Sequence, residues 1–473
     1  MTMKNPFKSL SDNLEVPFKF NLAYATGEIT DAVAYQGFSF LIFVYYFAVI
    51  GIEFKYMVIV YALWSVYNAF NDPIIGGLCD KTKTKRFGGG RRRPWMVAMW
   101  LPLAAVMFFL FTPFTTFAQH PVWVVIYFFV VICLFDTVYT GFSLSRTSLY
   151  PEMFRTNKAR EEAGAGRRIM MIFGLILAMG VPTLFIPKLT EPGQENIYNY
   201  WIAGAVLGAI VLVTAFINIK WGVKEPPLEE LEKKETLGVF KAIWYCMKNW
   251  KFMIFIFCSM MNWYIFAIFP MMMPFFSEFV LGESNSMLVV LLLLIAFLSS
   301  AIGVLIWSFV DSKIGSKYGF VLSQLYWIAV LIPLFFVENY WVAFVLMALN
   351  GIGLGGSPYF IDRNISNIAD EDELKTGKRR EGAYYGVHAL VIRFSGIFSI
   401  VSAYIVLGPY GWNAFSPAVV NVQILTGLKL LVSFLPAGAL VIGIILLLLY
   451  PLDKKKVDEM QSAYKKEIKQ QES

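Results

Sequence analysis

From Met287 to Val310 the chain reads MLVVLLLLIAFLSSAIGVLIWSFV, 24 residues without a charged side chain. About 20 apolar residues in helical form match the thickness of a bilayer's hydrocarbon core. Such a run in lipid must satisfy its backbone hydrogen bonds internally, which leaves the α-helix as its form. Comparable runs recur at Asp31–Ile52, Tyr56–Leu78, Trp95–Phe117, Val122–Leu149, Ile169–Ile186 and Tyr200–Ile219. After a polar stretch they resume at Phe252–Val280, Met287–Val310, Phe320–Phe336, Trp341–Ile361, Ala383–Leu407 and Leu425–Tyr450. The expectation is an all-α membrane protein with 12 transmembrane helices in two pseudo-repeated six-helix halves. Only 15% of residues are charged, against roughly 25% in soluble domains.

The organisation follows from the interruptions. Residues 1–219 read as the first half and residues 251–450 as the second. Between them, 220–250 is a cytoplasmic linker, KWGVKEPPLEELEKKETLG, followed by an interfacial amphipathic helix, Val239–Trp250. Residues 451–473 form a tail. The net charge of +7 is carried by short loops. Lys81, Lys83, Lys85, Arg86 and Arg91–Arg93 lie in one loop, and Lys375, Lys378, Arg379 and Arg380 in another. By the positive-inside rule both termini and the linker are cytoplasmic in a multi-pass chain of the cell's inner membrane. Loop-borne charge of this kind argues against a nucleic-acid partner. The basic loops recur at matching places in the two halves, as a duplicated six-helix unit would have them.

No phosphate-binding GxxxxGK[ST], no HExxH and no Cys/His cluster is present, so an ATP-driven pump, an enzyme and a metal centre are not expected. No cleavable signal peptide is expected either.

Ionisable residues within apolar runs are costly, about 2.5–3.5 kcal/mol each at mid-membrane on insertion scales, and are functional candidates by default. Asp72 sits in NDPIIGG, with Asn68 one turn earlier and Asn71 adjacent. Asp136, Thr140, Ser143 and Thr147 fall on one helical stripe suited to hydrogen-bonding a polyol, with Tyr139 beside it. Asp31, His388 and Arg393 are further polar residues within spans, with Glu28 expected at the interface. Arg146 reads as a snorkelling cation near the cytoplasmic end, and Arg167 as topological charge. Asp80, Arg91 and Arg92 suit an ion-pair latch on the cytoplasmic side, joined by Glu152, Arg160, Arg380 and Glu381 in the later loops.

The stretch NAFNDPIIGGLCDKTKTKRFGGGRRRPW resembles the second helix and following loop of the glycoside–pentoside–hexuronide:cation symporters, melibiose-permease-like members of the major facilitator superfamily. YPEMF…AREEAGAGRR and ADEDELKTGKRREGAYYG resemble that family's loops after helices four and ten, and the likeness runs from about Ala25 to Tyr450. The resemblance implies a secondary transporter. Its cation site uses carboxylates at the positions of Asn68 and Asp72, with the amide of Asn71 and a hydroxyl aligned with Thr140. Its sugar residues align with Asp31, Ser143, Arg168 and His388, and the lysine it places between the substrate and cation sites aligns with Arg393, a substrate-binding candidate here. An amide at Asn68 in place of a carboxylate favours proton over sodium coupling, with no other cofactor. The expected function is cation-coupled symport of a sugar, glycoside or sugar acid by a monomer. The alternatives are an uncoupled facilitator, an exporter of an organic anion, or, more remotely, a transporter-like solute receptor.

Overall fold

A computed structural model describes residues 16–82, 84, 90–113, 115–154, 156–225, 239–376, 380–460 and 462. Six helices come first: α1 (Phe18–Val44), α2 (Phe54–Lys81), α3 (Arg93–Phe109), α4 (Pro121–Met153), α5 (Asn157–Thr183) and α6 (Gln194–Ile217). The short α7 (Val239–Lys248) precedes α8 (Trp250–Phe279), α9 (Ser286–Ile314), α10 (Ser316–Leu331) and α11 (Tyr340–Thr376). The last two crossings are each made of two pieces. α12 (Glu381–Ile392) and α13 (Phe394–Leu407) meet at Arg393, and α14 (Val422–Val432) and α15 (Phe434–Leu449) meet at Ser433. Ten crossings are long and apolar enough to span by length and composition alone. The polar-dotted α2 and the shorter α3 complete the expected set of 12.

Several helices outrun their apolar cores. α1 begins at Phe18 rather than Asp31, α5 at Asn157 rather than Ile169, and α11 continues past Ile361 to Thr376. Hydropathy marks only the stretch that lipid requires to be helical. Once nucleated, a helix goes on closing one hydrogen bond per residue into polar sequence. The consequence is local and large: Glu28 and Asp31 lie in the body of α1, not at its mouth.

The chain divides into two compact units, Met1–Ile52 with Val66–Glu235, and Glu53–Ser65 with Thr236–Ser473. The start of α2 groups with the second unit, where the Phe54 amide donates to the Asn413 carbonyl at 2.6 Å. In the first unit α1 packs on α5 and α6, and α3 on α4 and α6. The C-terminal carbonyls of α3, which no helical N–H can reach, are taken by tyrosines. The hydroxyls of Tyr127, Tyr46 and Tyr45 donate to the carbonyls of Phe109, Leu110 and Phe111 at 2.7, 3.0 and 2.6 Å. In the second unit α9 and α11 touch backbone to backbone. A Cβ on Gly351 would stand 2.0 Å from the Ala296 carbonyl, and one on Gly355 2.2 Å from that of Ser300. The glycine patch GIGLGG is therefore a packing surface, as its small residues predict.

Candidate functional site

The first unit carries a polar junction between α2 and α4. The two helices run in parallel register, so that Tyr67 meets Thr137, Asn68 and Asn71 meet Asp136, Asp72 meets Thr140, and Cys79 meets Ser145. Asn68 Nδ2 donates to Asp136 Oδ1 at 3.0 Å, and Asn71 Nδ2 to Asp136 Oδ2 at 3.3 Å. Thr140 Oγ1 donates to Asp72 Oδ1 at 2.8 Å. Asp136 is 1% exposed and Asn68 2%. Pro73 interrupts α2 next to Asp72 and removes the N–H that would hold the Ala69 carbonyl. The Asn68 Oδ1 atom is buried without a hydrogen-bond partner, a state that costs about 1–3 kcal/mol for an unsatisfied acceptor.

This gathers the four residues expected at the cation site, Asn68, Asn71, Asp72 and Thr140, and adds Asp136 to them. The expected polyol stripe is corrected. Asp136 and Thr140 are buried against α2, Ser143 is half-buried, and Thr147 is exposed and returns its hydroxyl to its own helix at Ser143 O, 2.9 Å. The four share one face of the helix, within about 60° of one another, so what changes along the stripe is the packing against it.

A second cluster lies between α1, α4 and α5. Arg146 Nη1 donates to Glu28 Oε1 at 2.9 Å and Nε to Asp31 Oδ2 at 3.1 Å, with Nη2 closing the fork on Asp31. Arg167 Nε donates to Glu28 as well, and its guanidinium lies 4.5 Å from the centre of the Tyr150 ring. Gly27 makes the space, since a Cβ there would sit 2.6 Å from Arg146 Cδ. Three expectations change. Arg146 is 1% exposed and does not snorkel, and Glu28, at 9%, is not interfacial. Arg167, not Arg168, turns inward, and Arg168 is exposed. Arg146 engages Asp31 through Oδ2. Arg146 escaped a sequence-based assignment because its partners are 115 and 118 residues away.

The remaining candidates are spread out. Tyr139 stacks on Tyr35, ring centres 5.4 Å apart. In the second unit His388 is buried and shares a 2.6 Å hydrogen bond with Ser259 Oγ. Arg393 stands half-buried at the break between α12 and α13.

The basic loop is organised by acids. Arg91 Nη2 donates to Glu152 Oε1 at 2.9 Å, and Arg92 Nε lies 3.9 Å from the same oxygen. Glu225, which the sequence did not single out, accepts from the backbone N–H groups of Arg91, Arg92 and Arg93 at 2.6, 2.9 and 2.9 Å. It thus caps the N-terminus of α3, where free N–H groups and the helix dipole favour a carboxylate. Gly90 has φ +107°, and a Cβ there would come within 2.2 Å of Glu225 Oε2. The positive φ requires the glycine before the arginines. Arg160 Nε donates to the Phe154 carbonyl at 2.8 Å rather than to an acid. In the second unit Arg380 Nη1 donates to Asp372 Oδ2 at 3.1 Å. The side chains of Asp80 and Glu381 lie outside the described residues.

The chain is 23% identical over 479 residues to the sodium-dependent lysophosphatidylcholine symporter 1 of Gallus gallus, covering 93% of this chain and 88% of that protein. It is 23% identical over 461 residues to the glucuronide carrier protein homolog of Escherichia coli K12, covering 95% of each. The crystal structure of the nucleoside transporter NupG superposes with a TM-score of 0.65 at 16% identity, covering 92% of this chain and 99% of that one, which establishes a shared major facilitator fold. The family model described as MFS/sugar transport protein matches residues 23–454. With nearly every crossing inside that match, the chain belongs to the MFS/sugar transport protein family, as the symporter resemblance of its loops implies.

Proposed function

We propose that the chain is a secondary active symporter of the cell membrane that uses a cation gradient to drive a sugar, glycoside or sugar acid across by alternating access, with both termini cytoplasmic. The observation that carries the reading is the α2–α4 junction, where Asp72 accepts from Thr140 beside a buried Asp136. Two acids at this depth are too costly to persist without a role. Asp72 is the coupling residue, because a carboxylate that gains and loses a cation at mid-membrane ties the ion's free energy to the state of the helix bearing it. Ser143, one turn from Thr140 on α4, and Tyr139, next to Thr140, supply hydrogen bonds and a ring face to the solute.

The Escherichia coli relative is named as a glucuronide carrier homolog, which supports a sugar-like solute. The chicken relative is named as a sodium-dependent symporter, which supports cation coupling.

The test is uptake into proteoliposomes of sugars, glycosides and sugar acids, under imposed proton or sodium gradients. The expected result is gradient-driven accumulation that Asp72→Asn abolishes while solute exchange across the membrane persists. Uptake that ignores both gradients and is unchanged in Asp72→Asn would leave a facilitator. Accumulation of lysophospholipid but of no sugar would overturn the solute class and leave symport standing.

A further inference from the structure

We infer that the turn between α9 and α10 binds the headgroup of an anionic phospholipid, with Lys317 as its central ligand. The inference goes beyond the transport reading and depends on neither the solute nor the coupling ion. The turn is made at Gly315, whose φ of +84° lets the chain reverse between the two helices. Lysines surround it. Lys313 lies in the last turn of α9, and Lys317 in the first turn of α10. The chain after α15 returns to the same place. Lys454 Nζ donates to the Ser312 and Lys313 carbonyls at 3.0 and 2.8 Å, which seats the tail on the C-terminus of α9. A Cβ on Gly315 would lie 2.6 Å from Lys454 Cβ. Lys317 Nζ reaches the other way and donates to the Leu448 carbonyl, near the end of α15, at 3.2 Å.

The charge of Lys317 is not answered within the chain. The residue is 9% exposed, and its ammonium has a neutral carbonyl as its acceptor. The nearest acids are committed elsewhere. Asp453 and Lys456 both act on Lys317 electrostatically, but Asp453 Oδ1 accepts from the Lys456 backbone N–H at 3.0 Å and caps the helical turns over 454–460. Asp311 accepts from the Tyr359 hydroxyl at 2.9 Å and lies 3.4 Å from Arg363 Nε. A buried cation left without a counter-charge is costly, and an anion at this turn would supply one. The N-terminus of α10 favours the same ligand, because its N-cap Gly315 has no side chain to accept from the first N–H groups.

The surroundings identify the source of the anion. Phe309, Ile314, Tyr318, Leu448 and Leu449 are exposed apolar side chains on the three helices that meet here. On membrane crossings such faces lie against acyl chains. Lys313 Nζ stands 4.3 Å from the centre of the Phe309 ring, as a lysine does where chains give way to headgroups. A phospholipid can set its phosphate at the turn and its chains along this face, which a soluble anion cannot do. Lys455 and Lys456 are exposed beside the site. This excess of lysine favours a headgroup of net negative charge over a zwitterionic one.

The test uses the full-length protein, delipidated in detergent, and reads lipid binding by native mass spectrometry. Phosphatidylglycerol is expected to bind more tightly than phosphatidylcholine of the same chain length. Lys317→Gln should weaken phosphatidylglycerol binding about fivefold, the contribution of one lysine beside an anionic headgroup. Lys375→Gln removes the same charge from a lysine of this unit that pairs with Glu371, and should leave binding unchanged. Hydrogen exchange of the wild type in nanodiscs gives a second reading. Residues 312–318 and 454–460 should exchange more slowly in phosphatidylglycerol than in phosphatidylcholine.

Equal binding of the two lipids overturns the inference. So does unchanged binding in Lys317→Gln, or an equal loss in Lys375→Gln, which would reduce the effect to net charge. Exchange at 312–318 that is indifferent to the lipid overturns it even where Lys317→Gln fails to fold. Protection of 312–318 by inorganic phosphate equal to that by the lipid would assign the turn to a soluble anion and overturn it as well.

Discussion

Replacing Arg146 by Gln removes the cation that Asp31 depends on. The side chain of Arg146 is 1% exposed, and those of Glu28 and Asp31 are 11% and 13% exposed. The pair is therefore shielded from water, and the small values measured for surface ion pairs do not apply. Breaking a buried pair by removing one partner costs about 3–5 kcal/mol, because the remaining charge is left uncompensated. Glu28 keeps Arg167, so most of the damage falls on Asp31 and the lower end, about 3 kcal/mol, is expected. At roughly 2–4 °C per kcal/mol for a unit of this size, that is a fall in Tm of roughly 6–12 °C. The assay is unfolding followed with a thiol-reactive fluorophore, since Cys79, Cys133, Cys246 and Cys258 are all buried thiols outside any disulfide. The double variant Asp31→Asn/Arg146→Gln should recover most of the loss, because Glu28 then still pairs with Arg167 and no charge is stranded. A fall below about 2 °C for Arg146→Gln, or a double variant no better than the single, would show that the cluster is not a buried charge balance.

Other outcomes follow from the same structure. Gly355→Leu should destabilise by at least about 1–3 kcal/mol, read as lost folded yield in fluorescence-detected size exclusion, because its Cβ would press on the Ser300 carbonyl. Glu225→Gln should lower Tm by a few degrees, as a helix N-cap is worth about 0.5–2 kcal/mol. Glu152→Gln should cost less, under about 1 kcal/mol, because Arg91 and Glu152 are each 20% exposed. Burial pushes the Cys246 thiol up to about 11. A raised thiol pKa means little thiolate below it, so maleimide labelling of Cys246 in folded protein should be slow at pH 7 and quicken tenfold per pH unit toward pH 10, measured by peptide mass spectrometry. Rapid labelling at pH 7 would contradict its burial.

Much of this protein was legible in one dimension. The all-helical membrane fold and the acids worth examining follow from hydropathy and composition, because lipid acts on each segment separately and forces helix wherever water is excluded. The membership of the α2–α4 junction was also nearly legible, since Asn68, Asn71 and Asp72 share a turn and Thr140 was placed opposite them by resemblance. What sequence could not supply is which polar group answers which. Asp136 is as compatible with a solute-facing stripe as with α2, and only the register of two helices 65 residues apart in sequence decides for the amides of Asn68 and Asn71. Arg167 and Arg168 differ by one residue, about 100° around a helix, and only the packing of α5 on α1 selects Arg167 for Glu28. Glu225 reads as linker charge until α3 presents its N-terminus to it. Burial propensity belongs to a segment and can be read along the chain. The partner of a buried charge is fixed by distances between segments, and in a low-dielectric interior those distances decide its energy.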